Sequence, residues 1–232
     1  MKLIKSGVVM ATLFTAVLST ASLATIAESA TSENTVINTL TPSTVPQQVD
    51  DSKAELMAKL AKIEFFSAEF KQQIFDQAGN ELQQGSGLLS VSKPNLVNWQ
   101  TITPDESLIV SDGSNLWFYD PFVEQVSVYS LASAIANTPI LLITSNDEKL
   151  WQDYRVNQLS NNRYLVSASN ENARVKSLEL TFSNDENNLI GFNILDATGQ
   201  LSVISLLNHH QEPSANLFTF TVPEGVYLDD QR

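Results

Sequence analysis

The chain has 232 residues with 13 basic and 26 acidic side chains, a formal net charge of −13, no cysteine and only two histidines. This composition excludes a thiol nucleophile, a thiolate metal site and disulfides. The acidic balance also argues against nucleic acid as a partner and against stable insertion into anionic membranes.

The N-terminus has the pattern of a secretory signal peptide. Lys2 and Lys5 form a positive n-region, residues 8–18 are apolar, and a small-x-small cleavage site ends at Ala24. We therefore predict a cleaved signal over residues 1–24, with the cut lying anywhere between 21 and 30. Because the chain has no cysteine, the mature protein is expected to carry no lipid anchor of its own.

A polar segment separates this signal from the rest of the chain. Residues 25–50 are rich in Ser, Thr, Asn and Pro and contain no aromatic side chain, which is typical of a disordered leader. No later run approaches the ~18 apolar residues of a membrane helix. Residues 51–232 are long enough for one domain with a packed core.

Periodicity changes at the start of this domain. Leu56 and Leu60 fall on one face of a helix that we expect to begin at Asp51 or Ser52. Apolar and polar residues then alternate over 66–74, which predicts a half-buried strand. The glycines of Gly85-Ser86-Gly87 predict a turn.

Short strands with turn residues between them dominate the remainder. Strands are expected over 88–92, 96–102, 108–111, 115–119, 125–129, 154–159, 163–169, 177–182, 189–195, 201–208 and 218–221. A helical insert interrupts them, with Thr138 as N-cap before Pro139 and with Asn146-Asp147 capping one more turn. The pattern predicts an α+β, mainly antiparallel β fold, a half-open barrel of about 11 strands with helices over its mouth.

Catalytic candidates are few. The adjacent His209 and His210 would point to opposite faces of a strand and could not share a metal. The carboxylate pairs Asp105-Glu106, Asp147-Glu148 and Asp229-Asp230 are chain neighbours, which are usually just solvated. We expect no enzyme activity, no metal and no cofactor; a hydrolase with an unrecognised carboxylate pair is the alternative.

Three separated blocks resemble one known family. Residues 85–126 read GSGLLSVSKPNLVNWQTITPDESLIVSDGSNLWFYDPFVEQV, and the sequences Asn137-Thr138-Pro139 and Phe218 to Val226 match as well. The chain resembles LolA, the family of periplasmic carriers of outer-membrane lipoproteins. The resemblance implies a barrel capped by three helices over an apolar cavity. It also implies a monomeric periplasmic carrier, loaded by an inner-membrane ABC transporter and unloaded by an outer-membrane lipoprotein receptor.

The alternating apolar residues supply the predicted cargo site, although an ordinary filled core would show the same pattern. The predicted lining comprises Phe70, Val97, Trp99, Leu116, Phe118, Val126, Val128, Ile140, Leu141, Ile143, Leu178, Leu180 and Phe182. Lys93 stands where the family usually has an arginine that ties the lid to the barrel, so the resemblance assigns it a gating role. A lipid or glycolipid carrier, or an envelope-stress sensor, on the same fold is the alternative.

Overall fold

An amphipathic helix opens the described part of the chain. The structure is a computed structural model that describes residues 48–135, 139–145, 147–184, 188–210 and 212–232. Helix α1, Gln48–Ala61, begins earlier than predicted. It buries Leu56 and Leu60 on one side, as their spacing predicts. The predicted signal peptide, and the leader up to residue 47, lie outside the described residues.

Within these described ranges, twelve strands form one sheet. They are β1 (Phe65–Phe75), β2 (Glu81–Ser92), β3 (Leu96–Thr103), β4 (Ser107–Asp112), β5 (Asn115–Asp120), β6 (Gln125–Ser130), β7 (Tyr154–Ser160), β8 (Arg163–Ala168), β9 (Val175–Phe182), β10 (Leu189–Asp196), β11 (Leu201–His210) and β12 (Tyr227–Asp230). Their order is β12-β6-β5-β4-β3-β2-β1-β11-β10-β9-β8-β7. The two end strands, β12 and β7, are not paired with each other, so the barrel is incomplete. The predicted half-open antiparallel barrel is confirmed.

The helical insert lies between β6 and β7. It consists of α2 (Leu131–Ile135), α3 (Pro139–Thr144) and a 3-10 helix over Glu148–Asp153. The Asp147 carboxylate accepts a hydrogen bond from Lys149 N at 2.9 Å, so this residue caps the 3-10 helix as predicted. Two other predicted capping residues, Thr138 and Asn146, lie outside the described residues.

The turn predicted at Gly85-Ser86-Gly87 is wrong, because these residues lie inside β2. A Cβ atom added at Gly87 would lie 1.9 Å from the carbonyl oxygen of Gln100 and 2.8 Å from the ring of Phe70. The β2–β3 register also shifts between Ser86 and Gly87. The glycine therefore permits close approach at a bulge in the sheet and does not reverse the chain.

The C-terminal segment also differs from the prediction. Residues 218–221 do not form a strand; a 3-10 helix, Ala215–Phe218, is followed by irregular chain. Strand β12 was not predicted; its pairing with β6 is parallel, whereas the other strand pairs of the described residues are antiparallel. Its four residues Tyr-Leu-Asp-Asp lack the β-branched composition of a strand, and their pairing depends on a strand distant in sequence.

Candidate functional site

One side of the sheet carries a continuous apolar surface. Directly opposed residues of antiparallel strands point to the same side of a sheet. Trp99 is opposed to Leu89 and Ile109, and Leu180 is opposed to Tyr164 and Phe192. We call this side, which the helices cover, the inner face. Its buried side chains are Ala68, Phe70, Leu89, Val91, Val97, Trp99, Ile109, Leu116, Val156, Tyr164, Val166, Leu178, Leu180, Phe182, Phe192, Ile194, Ile204 and Leu206.

Aromatic rings bridge the middle of the inner face. Trp99 packs edge-to-face on Phe70, with ring centroids 5.4 Å apart, and on Phe192 at 5.8 Å. Since β1 and β11 are neighbours in the sheet, this cluster joins the two halves of the chain across the barrel. Edge-to-face pairs of this kind contribute about 0.5–1.5 kcal/mol beyond the burial of their surface. The centre of the wall is therefore held by ring contacts that join strands from both halves of the chain.

The insert seals the inner face. Ile140, Leu141, Leu142 and Ile143 are all buried although they are consecutive in a short helix, so α3 is enclosed on every side. The cavity between the insert and strands β8 and β9 has a volume of about 10 Å³, roughly the space of one water molecule. Ile135, Leu142 and Leu178 are among its lining residues. The helices thus rest directly on the wall, and an acyl chain would have to displace them there.

Lys93 connects the barrel to α1. Its ammonium donates a hydrogen bond to the carbonyl oxygen of Leu60 at 2.6 Å. Leu60 lies in the last turn of α1, where the helix dipole favours a cation, and its carbonyl oxygen also accepts from Ile63 N at 3.0 Å. Burial lowers the pKa of the Lys93 ammonium. Two residues later, Asn95 N donates to the carbonyl oxygen of Thr144 at 3.2 Å, so the β2–β3 turn holds the ends of both α1 and α3.

An open pocket lies beside this bond. Its volume is about 300 Å³, and it is bounded by the second half of α1 and by the 3-10 helix of the insert. Met57, Leu60 and Trp151 give it apolar walls, while Lys93 and Glu148 give it polar ones. The pocket therefore lies between α1 and the insert, which are the two parts of the cover over the inner face.

The structure brings together most of the predicted cargo site. Phe70, Val97, Trp99, Leu116, Leu178, Leu180 and Phe182 lie buried on the inner face, with Phe118 half-buried there, and Ile140, Leu141 and Ile143 lie buried in α3. Four further inner-face residues were not among the predicted lining: Phe192, Ile194, Ile204 and Leu206. Their alternation within β10 and β11 could have identified them. Tyr164 was also absent from the predicted lining, although it alternates with Arg163 and Leu165 in β8 and is buried.

Two predicted lining residues lie on the opposite side of the sheet. Val126 is opposed to Tyr119, and Val128 is opposed to Trp117, so both point away from Leu116 and Phe118. We call their side the outer face. The alternation within β6 did not show which of its sides faces the helices, and the outer face over β3 to β6 is also buried, beneath the C-terminal segment. A shift of one residue in the alternation then reverses the face.

The cover on the outer face is aromatic. The Phe220 ring lies 5.6 Å from Trp117 and 6.1 Å from Tyr119, and Phe218 is buried. Asn98 donates a hydrogen bond to the carbonyl oxygen of Leu217 at 2.7 Å. Further along, Arg232 pairs with Asp230 and lies 5.8 Å from the centre of the Trp117 ring. Segment 215–232 is therefore held along its length.

The polar candidates do not assemble a catalytic site in the described residues. His209 and His210 lie exposed at the end of β11, Asp105 and Glu106 are exposed, and Asp147 caps a helix. Among all the residues that the structure describes, no group of three His, Cys, Asp or Glu side chains could hold a metal ion. None of the described helices combines the length and the apolar composition needed to span a bilayer.

Comparisons with known proteins give the family. The profile described as "Outer membrane lipoprotein carrier protein LolA" matches residues 61–221. The outer-membrane lipoprotein carrier protein of Aeromonas salmonicida is 45% identical over 184 residues, 78% of this chain and 90% of that protein. Its counterpart from Edwardsiella ictaluri is 43% identical over 180 residues, 77% and 87% of the two chains.

A solved structure of a LolA superfamily protein from Nitrosomonas europaea aligns with a TM-score of 0.45 and 12% identity, over 73% of this chain and 98% of that one. The profile match and the sequence relatives, which cover most of the chain, decide the assignment. The chain belongs to the LolA family of outer-membrane lipoprotein carrier proteins.

Proposed function

We propose that this protein is a periplasmic carrier that holds the acyl chains of lipoproteins against its inner face. The observation that supports this most directly is the cover of that face. An apolar wall that runs from β5 to β7 in the sheet order lies beneath an N-terminal helix and short insert helices, none of which is a strand of the sheet. In this proposal an inner-membrane ABC transporter loads the carrier and an outer-membrane receptor unloads it, and the carrier performs no chemistry of its own.

The energetics of release favour a cover that closes in the empty state. Burial of acyl chains gains about 0.8 kcal/mol per CH₂ group, so a chain of about fifteen carbons gains on the order of 10 kcal/mol. A site that kept all of this energy would not release its cargo. When the helices pack against the wall without cargo, loading must first separate them. Unloading then returns that energy and drives transfer to the receptor.

Lys93 is the proposed gate of this cover. Its bond to the Leu60 carbonyl must break when α1 moves away from the barrel. The ammonium is a compact donor, and it lacks the planar fork with which arginine can bind two carbonyl groups at once. The bond to Leu60 supports closure at the C-terminal end of α1.

The test is release of a radiolabelled lipoprotein from spheroplasts in the presence and absence of the purified protein. Release into the medium as a one-to-one complex is the expected result. A second step adds outer-membrane vesicles that contain or lack the receptor, and transfer is expected only with the receptor. If the cargo recovered by lipid extraction and mass spectrometry were a glycolipid without lipoprotein, the proposed cargo would be wrong.

A further inference from the structure

The middle of α1 makes polar contacts that are separate from the Lys93 bond. The Tyr164 hydroxyl donates a hydrogen bond to Glu55 Oε1 at 2.5 Å, and the Gln158 amide donates to the Tyr164 oxygen at 3.2 Å and to Glu55 Oε1 at 3.3 Å. Glu55 lies five residues before Leu60, about 7.5 Å along the helix axis. The two sets of contacts therefore hold different parts of α1.

Tyr164 belongs to the wall of the proposed cargo site. Its side chain is 0% exposed, it is opposed to Leu180, and its ring packs edge-to-face on Phe182 with centroids 5.9 Å apart. Burial, together with the hydrogen bond to Glu55 and its negative charge, raises the pKa of the Tyr164 hydroxyl far above its ordinary value. The hydroxyl thus stays protonated as the donor that reaches from the wall to the helix above it.

Lys53 completes this cluster from the other side of α1. Its ammonium donates hydrogen bonds to the carbonyl oxygen of Trp151 and, at 3.3 Å, to that of Tyr154. These carbonyl groups lie at the end of the 3-10 helix of the insert and at the start of β7. Lys53 therefore joins α1 to the insert and to the start of β7, while Glu55 joins α1 to β8 through Tyr164.

We propose that Lys53, Glu55 and Tyr164 form a second latch that holds α1 closed over the inner face independently of Lys93. This inference rests on the proposed carrier function and adds positioning residues to it. An apolar chain that enters between α1 and the wall separates Glu55 from Tyr164, so loading breaks this bond and unloading restores it. Because the latch spans the wall, α1 and the insert, it makes the two parts of the cover open together.

Tyr164→Phe tests the latch, because it removes only the hydroxyl and keeps the ring. The matched control is Tyr119→Phe on the outer face. Each purified full-length protein is titrated with the neutral apolar dye N-phenyl-1-naphthylamine, and amide hydrogen exchange over α1 is followed without dye. For Tyr164→Phe we expect a Kd about fivefold lower and α1 exchange about fivefold faster, the effect of about one net hydrogen bond. Tyr119→Phe is expected to behave like the parent in both assays.

The direction of the change separates a latch from a merely structural contact, since general loosening of the wall would weaken dye binding. Glu55→Ala should tighten binding as Tyr164→Phe does, and the double variant should add little because the two residues share one bond. Unchanged or weaker dye binding in Tyr164→Phe, with a parent that binds the dye, overturns the latch and leaves the carrier proposal standing. If neither the parent nor any variant binds dye or lipoprotein, the carrier proposal is overturned. Faster amide exchange of α1 in Tyr164→Phe would in that case still support the hydrogen bond between the wall and the helix.

Discussion

Helices cover the inner face of the sheet and the C-terminal segment covers the outer face over β3 to β6, and these two covers are built in different ways. The inner face lies beneath helices tied down by a few polar contacts, such as those of Lys93 and Tyr164. The outer face lies beneath a C-terminal segment held by ring packing on Trp117 and by the pairing of β12 with β6. Both covers exclude water from apolar side chains.

The difference has a physical meaning. Strand pairing and aromatic packing add many contacts along a segment, so the outer cover separates only when much of it does so at once. The inner cover depends on isolated hydrogen bonds, each with a net contribution near 1 kcal/mol, above an apolar wall that cargo can cover equally well. A cover of the second kind can open without unfolding the sheet, and the following variants test that distinction.

The largest effect is expected from a charge on the inner face. Leu180 is 0% exposed and lies on the wall, so Leu180→Glu would bury a carboxylate without a partner. We expect a loss of at least about 4 kcal/mol, enough to unfold much of the protein. The matched control is Thr181→Glu, one residue along the same strand on the outer face and opposite Arg163. Urea denaturation measures both variants, and equal stability in the two would reverse the face assignment of β9.

A smaller loss is expected when the outer cover is weakened. Phe218 is 4% exposed, and its truncation in Phe218→Ala should cost about 3 kcal/mol. Dye affinity of the folded protein should stay at the parental value, because the inner face is untouched. Leu217→Ala, at a position that is 38% exposed, serves as the control. A changed dye affinity in Phe218→Ala would show that the two faces are coupled.

The two faces also show which parts of the site could be predicted from the sequence. Alternation within single strands predicted Val97, Trp99 and Leu180 on the inner face correctly, because that signal is local. Relating one strand to the next requires the register, which depends on partners distant in sequence, and Val126 and Val128 were misplaced for that reason.

Segment 215–232 was not predictable for the same kind of reason. Residues 218–221 have an alternating pattern typical of a strand, but Phe220 packs on rings from β5 that lie a hundred residues earlier in the chain. The glycines of β2 were wrongly predicted to form a turn, because glycine is typical of both a β-bulge and a turn. In the case of Lys93, the family resemblance identified the position, and only the coordinates show Leu60 as its acceptor.

A moderate effect is expected from changing the gate. Lys93→Leu removes the donor to Leu60 and leaves an apolar side chain of similar length, so the variant should load lipoprotein but transfer it about tenfold more slowly. Lys93→Arg should transfer at least as fast as the parent, because its planar fork can bind a second carbonyl group. Transfer of labelled lipoprotein from purified carrier to receptor is the measurement. A parental transfer rate for Lys93→Leu would remove Lys93 from lid control.

The smallest effect is a different response of the two covers to pH. In the outer cover, hydrogen bonds from the Arg232 side chain and backbone lower the pKa of Asp230 to about 2. Burial acts to raise the pKa of Asp112, but its hydrogen bonds, led by that from Trp117, outweigh burial and lower it. Carboxyl groups with lowered pKa values stabilise the folded state above their ordinary value of 3.8, and this contribution is lost as the pH falls towards 2.

The inner cover is expected to change its contribution to stability in the alkaline pH range. The raised pKa of Tyr164 means that its contribution is complete below its ordinary value of 10.0 and is lost as the pH rises further. The lowered pKa of Lys93 acts in the opposite sense, because the folded protein binds fewer protons than the unfolded chain just below pH 10.5 and is stabilised as the pH rises there.

We therefore compare each variant with the parent at the same pH, so that the contributions of the other titrating groups cancel. In urea denaturation, Asp230→Asn should lose less stability than the parent between about pH 4 and about pH 2, and Tyr164→Phe should lose less above about pH 10. If Tyr164→Phe followed the parent through the alkaline range, the bond between Tyr164 and Glu55 would not stabilise closure. The inner cover would then depend on the bonds of Lys93, Lys53 and Asn95 and on apolar packing.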